Sequence, residues 1–146
     1  MMVVTSPLLL MSQNIQQQLR TADALASNHH YDSALKLYEN IYKSDQRNLS
    51  AILGIKKCLI GLQNYDQLIQ FLEDALKAQP ERSPLFIDLG EAYFLIDNRD
   101  KAFNVWTSHL DRNNKDIGVY RLLAMAMIRQ RLYDDAIEVY LKAIKN

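Results

Sequence analysis

Glycine and proline are both scarce: four of the first and three of the second in 146 residues. That leaves little material for β-turns or long irregular loops, and favours helices joined by short connections. A single cysteine, Cys58, excludes an intramolecular disulfide framework. Net charge is also lacking, with seventeen basic residues against seventeen acidic ones. A general nucleic-acid binder normally carries a basic stripe, so neutrality argues against that class. No glycine-rich phosphate loop, H-E-x-x-H or G-x-S-x-G motif is found, nor a paired-carboxylate constellation. What remains is ordinary for a soluble globular chain, 49% apolar and 23% charged, and long enough to bury a sizeable core.

Residues 1–13 differ from everything after them. They are apolar, uncharged and contain Pro7. Ten or so apolar residues are too few to span a bilayer as a helix. Three readings stand: the tail of a secretory signal without its basic start, a disordered start, or a cap on the first helix. Compartment stays open with them, cytoplasmic or exported. A repeat domain is expected over residues 14–146.

From Asn14 the apolar pattern becomes helical, and one stretch sets its phase. Phe86-x2-Leu89-Gly90-x2-Tyr93 is followed by Ala102-x3-Trp106. Small residues (Gly90, Ala102) let two helices approach, and large ones (Phe86, Tyr93, Trp106) fill the space around the contact. Written at 34 residues per line, the chain aligns without insertion. One column is Tyr31, Tyr65, Arg99, Tyr133, and the next is Asp32, Asp66, Asp100, Asp134. Then come Ala34, Leu68, Ala102, Ala136; Tyr38, Leu72, Trp106, Tyr140; and Ile41, Ala75, His109, Ala143. The preceding helix gives Thr21, Ile55, Leu89, Leu123; Ala24, Cys58, Ala92, Ala126; and Leu25, Leu59, Tyr93, Met127.

Four repeats follow, at 15–48, 49–82, 83–116 and 117–146. First helices are predicted at about 15–28, 49–62, 83–96 and 117–130, second helices at about 31–43, 65–77, 99–110 and 133–145. The recurring Asp falls in the first turn of each second helix, where negative charge suits the dipole. Asn64 and Asn98 stand where N-caps belong. Pro80 closes the second unit, and Gln46 and Asn114 take that place in the first and third.

Over residues 15–146 the chain resembles the tetratricopeptide repeat (TPR) family, whose pattern is W-x2-L-G-x2-Y then A-x3-F in a 34-residue helix–turn–helix unit. Here Phe86 takes the Trp slot and Trp106 the Phe slot. The resemblance implies an all-α fold, a right-handed superhelical solenoid of antiparallel helix pairs with a concave face lined by first helices. It departs from the pattern at Lys56, in a column otherwise small (Ala22, Gly90, Ala124), and in the first repeat, where Thr21 and Leu25 replace larger residues. The fourth second helix carries Ile137, Val139, Tyr140, Leu141 and Ile144, apolar on more than one side. A repeat array needs a polar outer face at its end. Continuation into a longer array is therefore expected, with docking on another chain, its own copy included, as the alternative.

Concave positions in the family are 2, 5, 9, 12 and 13 of each first helix. Carried onto this sequence they give Gln16, Leu19, Asp23, Ala26 and Ser27 in repeat one, and Ser50, Leu53, Lys57, Ile60 and Gly61 in repeat two. Repeat three supplies Pro84, Ile87, Glu91, Phe94 and Leu95; repeat four supplies Gly118, Arg121, Met125, Ile128 and Arg129. The family's carboxylate clamp, with Lys, Asn and Arg at positions 5, 9 and 6, is absent: Leu19, Asp23, Gly54 and Asp88 stand there. An apolar floor of Leu53, Ile60, Ile87, Phe94, Leu95, Met125 and Ile128, edged by Lys57, Glu91, Arg121 and Arg129, suits an amphipathic helix or extended peptide of a protein partner.

His29 and His30 are adjacent on a turn, with no ligand at metal spacing. His109 and Cys58 fall in packed columns and are read as a satisfied core histidine and a small buried hydrophobe. No catalytic, metal or cofactor residue is assigned. The expected function is a non-catalytic protein-interaction scaffold. The alternatives are an assembly subunit working through open array ends and, less favoured, a helical-repeat RNA binder.

Overall fold

The computed structural model describes residues 7–145, with side chains from Ser12 onward. Those residues form eight helices: α1 (Pro7–Ser27), α2 (Tyr31–Ser44), α3 (Leu49–Gly61), α4 (Tyr65–Ala78), α5 (Ser83–Leu95), α6 (Arg99–Arg112), α7 (Ile117–Arg129) and α8 (Tyr133–Lys145). No strand occurs among the described residues. From α2 onward the observed ends lie within two residues of those predicted. The exception is α1, which begins at Pro7 and runs without a break through the expected boundary at Gln13 and Asn14. Residues 1–6, part of the apolar start, lie outside the described residues.

The chain forms two compact units, Met1–Leu68 and Ile69–Asn146, each with its own packing. In the first, α1 packs on α2 and α3, and α2 on α3. In the second, α5 packs on α6 and α7, α6 on α7, and α7 on α8. Most of the packing columns read from the sequence are core, but Thr21 and Ala24 on α1 and Tyr140 on α8 are exposed, with Ala22 and Ala26 buried on α1 instead. Ala34, Tyr38 and Ile41 line the buried side of α2, and Ala102, Trp106 and His109 take the same places on α6.

Caps fix where helices start. Asn64 accepts from the Gln67 amide at 3.3 Å while its own amide donates to Gln67 Oε1 at 2.8 Å. Asn98 accepts from the Lys101 amide at 3.2 Å. Both were predicted as N-caps. Asn48 and Asp116 cap α3 and α7 in the same way, accepting from Ala51 at 3.0 Å and Gly118 at 2.8 Å.

The helix ends carry a regularity that no sequence column announces. His29, Gln63, Asp97 and Arg131, each 34 residues after the last, have left-handed backbones with φ of 61°, 56°, 57° and 61°. Around each, two amides reach back into the helix. The residue after it donates to a carbonyl five positions earlier: His30 to Leu25, Asn64 to Leu59, Asn98 to Tyr93, Leu132 to Met127, at 2.9–3.0 Å. The left-handed residue itself donates three positions back, to Ala26, Ile60, Phe94 and Ile128. This is the Schellman closure, built each time without the glycine that usually serves it.

Between α5 and α6 the approach is as close as the residue types allow. A Cβ added to Gly90 would stand 1.9 Å from Trp106 Nε1. The indole N–H donates to the Ile87 carbonyl at 3.2 Å, so the ring is both packed and satisfied.

Two stability predictions follow from these contacts. Gly90→Ala gains helix propensity but drives Cβ into the indole, with a net expected loss of about 2–4 kcal/mol from overpacking and the broken N–H bond. Trp106→Phe added to it should recover part of that loss, as measured by urea denaturation; equal stability of Gly90→Ala and wild type would refute the close contact. Conversely, Gln63→Gly and Arg131→Gly relieve a left-handed side-chain residue and should each stabilise by about 0.5–1 kcal/mol, whereas Gln63→Val should destabilise.

Candidate protein-interaction surface

In the first unit the expected positions converge on one cleft. Asp23 and Ser27 from α1 and Ser50, Leu53, Gly54 and Lys57 from α3 surround an opening of about 340 Å³ with Tyr38 of α2 at its base. Gly54 lies where a side chain would collide with the Tyr38 ring, 2.4 Å from its Cε1. The Tyr38 hydroxyl donates to Asp23 Oδ1 at 2.5 Å. Burial first, then this bond to a carboxylate, push the phenol well above its usual range, so it stays a donor. Leu53 and Ile60 are exposed, as is Lys57. Leu19 and Ala26 are instead buried.

In the second unit the expected residues sit on α5 and α7, which are neighbours. Leu95, Met125 and Ile128 are exposed apolar side chains, and Phe94 is half-buried. Phe94 stacks near Trp106, ring centroids 6.4 Å apart, and the Arg99 guanidinium lies 5.1 Å from its centroid. Its ring is thus partly spent on the protein's own contacts.

Two expectations need correction. Ile87 is not on the floor; it is only 4% exposed. Its column runs Leu19, Leu53, Ile87, Arg121, buried in the first and third members and open in the other two. That position borders the packed face, so the neighbouring side chains decide its burial, which column membership does not encode. The charged edge also changes. Arg129 Nε donates to Glu91 Oε1 at 2.8 Å, joining α7 to α5, with the Glu91 side chain 17% exposed. The Glu91 hydrogen bond holds the Arg129 guanidinium more firmly protonated still. Two of the four charges meant for a partner are spent on each other. The pair lies 38 residues apart, one repeat plus one helical turn, and a search at that offset would have found it. Arg121 and Lys57 remain exposed, with no ion pair to either among the described residues.

The histidine and cysteine expectations fall where the columns put them. His109 is buried, its Nε2 3.0 Å from Ser83 Oγ and its ring stacked on Phe86 at 4.0 Å. Burial, aided by the charge of Arg112, pulls its pKa below the usual value. Cys58 is fully buried and its thiol is pushed up to about 11 by desolvation, which leaves it a packing group. His29 is exposed, with Nδ1 2.9 Å from the Tyr31 hydroxyl. Among the described residues no group of three or more metal-ligating side chains gathers, and no helix is long and apolar enough to cross a membrane.

No protein-family model matches the chain, and neither does any curated protein. Solved structures do. MamA (41-end) from Desulfovibrio magneticus RS-1 is 19% identical, with a TM-score of 0.58 over 90% of this chain and 74% of that one. A further crystal structure of MamA gives 21% identity and a TM-score of 0.59 over 92% and 73%. MamA AMB-1 gives 18% identity and a TM-score of 0.55 over 90% and 72%. At such identity the likeness speaks for the fold, and MamA is itself a TPR-like helical-repeat protein. This chain has the all-α helical-repeat fold of the tetratricopeptide type.

Proposed function

We propose that this protein is a non-catalytic interaction scaffold that holds an amphipathic helix or extended peptide of a protein partner on its first-helix faces. One observation carries this function. The repeat position occupied by Ile60, Phe94 and Ile128 is apolar in three successive repeats, yet Ile60 and Ile128 stand in solvent and Phe94 is only half-buried. In the last three repeats the core does not enclose these side chains, although it buries Ala26 at the same position in the first, and scattered exposure would not recur at one repeat position. Leu95 and Met125 widen the apolar strip in the second unit, and Leu53 does so in the first. Burying such side chains against a partner supplies affinity at about 25 cal/mol per Å² of apolar surface, before ordering costs.

Orientation falls to few charges. With Glu91 and Arg129 paired, Arg121 in the second unit and Lys57 in the first are the cations left to meet acidic groups. A partner segment carrying an acidic residue beside its apolar face fits best.

The test is direct. Binders selected from a random peptide library should be amphipathic, and Leu95→Glu with Ile128→Glu should weaken them by roughly thirtyfold or more, the loss of two central apolar anchors. Far-UV circular dichroism should be unchanged, because both side chains are exposed. Binders whose affinity survives the double substitution would overturn the proposed site.

A further inference from the structure

The cleft of the first unit and the ion pair of the second occupy corresponding places in the repeat. In the second unit the acid at position 9 of one first helix, Glu91, is closed by the guanidinium of Arg129 at position 13 of the next, 2.8 Å away. In the first unit those two positions hold Asp23 and Gly61. Gly61 has no side chain to offer, and a Cβ there would stand 2.4 Å from the Tyr31 ring. Asp23 therefore forms no ion pair among the described residues, and the hydrogen bond it accepts from Tyr38 is its only one there. The second unit has shut its carboxylate. The first has left one open on a cleft.

The lining of that cleft is balanced in charge. Asp23, an acceptor, and Lys57, a donor only, stand at the same repeat position on the neighbouring helices α1 and α3, and no ion pair joins them. Ser27 and Ser50 add hydroxyls that donate or accept, and neither has a hydrogen bond among the described residues. Tyr38 is spent on Asp23 Oδ1, which fixes the carboxylate and leaves Oδ2 without a partner among the described residues. At about 340 Å³ the opening lies at the small end of ligand pockets, which run from about 300 to 1,000 Å³. It has room for a side chain and not for a helix.

Those walls discriminate between side chains. An acidic group gains Lys57 but is repelled by Asp23, and a basic group meets the reverse. An apolar group strips water from both charges and returns no bond. A primary carboxamide carries two N–H donors and a carbonyl acceptor on one uncharged plane, so it satisfies Asp23 and Lys57 together. Lys57 alone would favour an acidic residue; with Asp23 in the same cleft it does not. We propose that the first-unit cleft is a specificity pocket for the carboxamide of an Asn or Gln side chain on the bound peptide, an inference that rests on the scaffold function proposed above.

Selection from a random peptide library against the full chain and two neutralised variants tests this. Binders of the wild type should share an Asn or Gln at one position of their alignment. Asp23→Asn removes the anion and keeps an acceptor for Tyr38, so that position should turn acidic. Lys57→Met removes the cation, so the same position should turn basic. Both side chains are exposed, so the fold is kept, with circular dichroism as the check. In the tightest wild-type binder, replacing the shared Asn or Gln by Leu, Glu or Lys should weaken binding roughly tenfold or more, the loss of hydrogen bonds to charged groups. Amphipathic binders with no Asn or Gln preference, or with one that shifts in neither variant, overturn the pocket and leave the scaffold standing. A wild-type preference for an acidic or a basic residue at that position overturns it equally. Failure of all three proteins to enrich any binder overturns the pocket and the scaffold together.

Discussion

Everything in the molecule depends on how a helix is stopped. Each first helix ends on a left-handed residue whose neighbouring amides turn back onto the preceding carbonyls, at His29, Gln63, Asp97 and Arg131. That closure fixes the angle and the rotation at which the second helix leaves. A helix pair whose rotation slipped by one residue would swing its apolar stripe by about 100°. Repeating the same closure at 34-residue intervals puts Tyr38 and Trp106 into the interior of their respective units. The cost of four left-handed non-glycine residues is met by the buried columns that the closure aligns.

Columns of the sequence were legible because packing is periodic. Alanine, glycine and large aromatics recur where helices touch, and a helix contact imposes that pattern whatever else the chain does. The helix ends followed from the same phase, and Asn64 and Asn98 from the chemistry of capping. Three things were not legible. The left-handed positions are occupied by His, Gln, Asp and Arg, which share no signature, so only the hydrogen bonds around them reveal the motif. The burial of Ile87 depends on its neighbours and not on its column. The Glu91–Arg129 pair joins two repeats, and a comparison of like positions cannot detect a contact between unlike ones.

That pair has a consequence for recognition. A surface ion pair adds little to stability, about 0–1 kcal/mol. It does remove two formal charges from a partner's reach. The candidate surface of the second unit is thus more apolar in its interactions than its sequence suggests, with Arg121 as its accessible cation. If the proposed site binds a partner there, specificity would rest on the shape around Leu95, Met125 and Ile128 more than on complementary charge. The first unit differs in kind. Its cleft is walled by Asp23, Ser27, Ser50 and Lys57 over a tyrosine whose hydroxyl is already bound. A segment filling it would be read by hydrogen bonds.

The same repeat position can be core in one place and surface in another, and α8 is where that matters most. Tyr38 packs against Gly54 on the helix that follows it, α3, whereas Trp106 packs against Gly90 and Ile87 on the helix that precedes it, α5. The same column is thus closed from within its own repeat at Trp106 and from the next repeat at Tyr38, so neighbouring repeats share one core. Tyr140 and Ile144 carry the residue types of a core without such a neighbour among the described residues. Burying their apolar surface is favourable whoever supplies the cover. Whether a repeat position is core or surface is then decided by the helix packed on it, and not by its column.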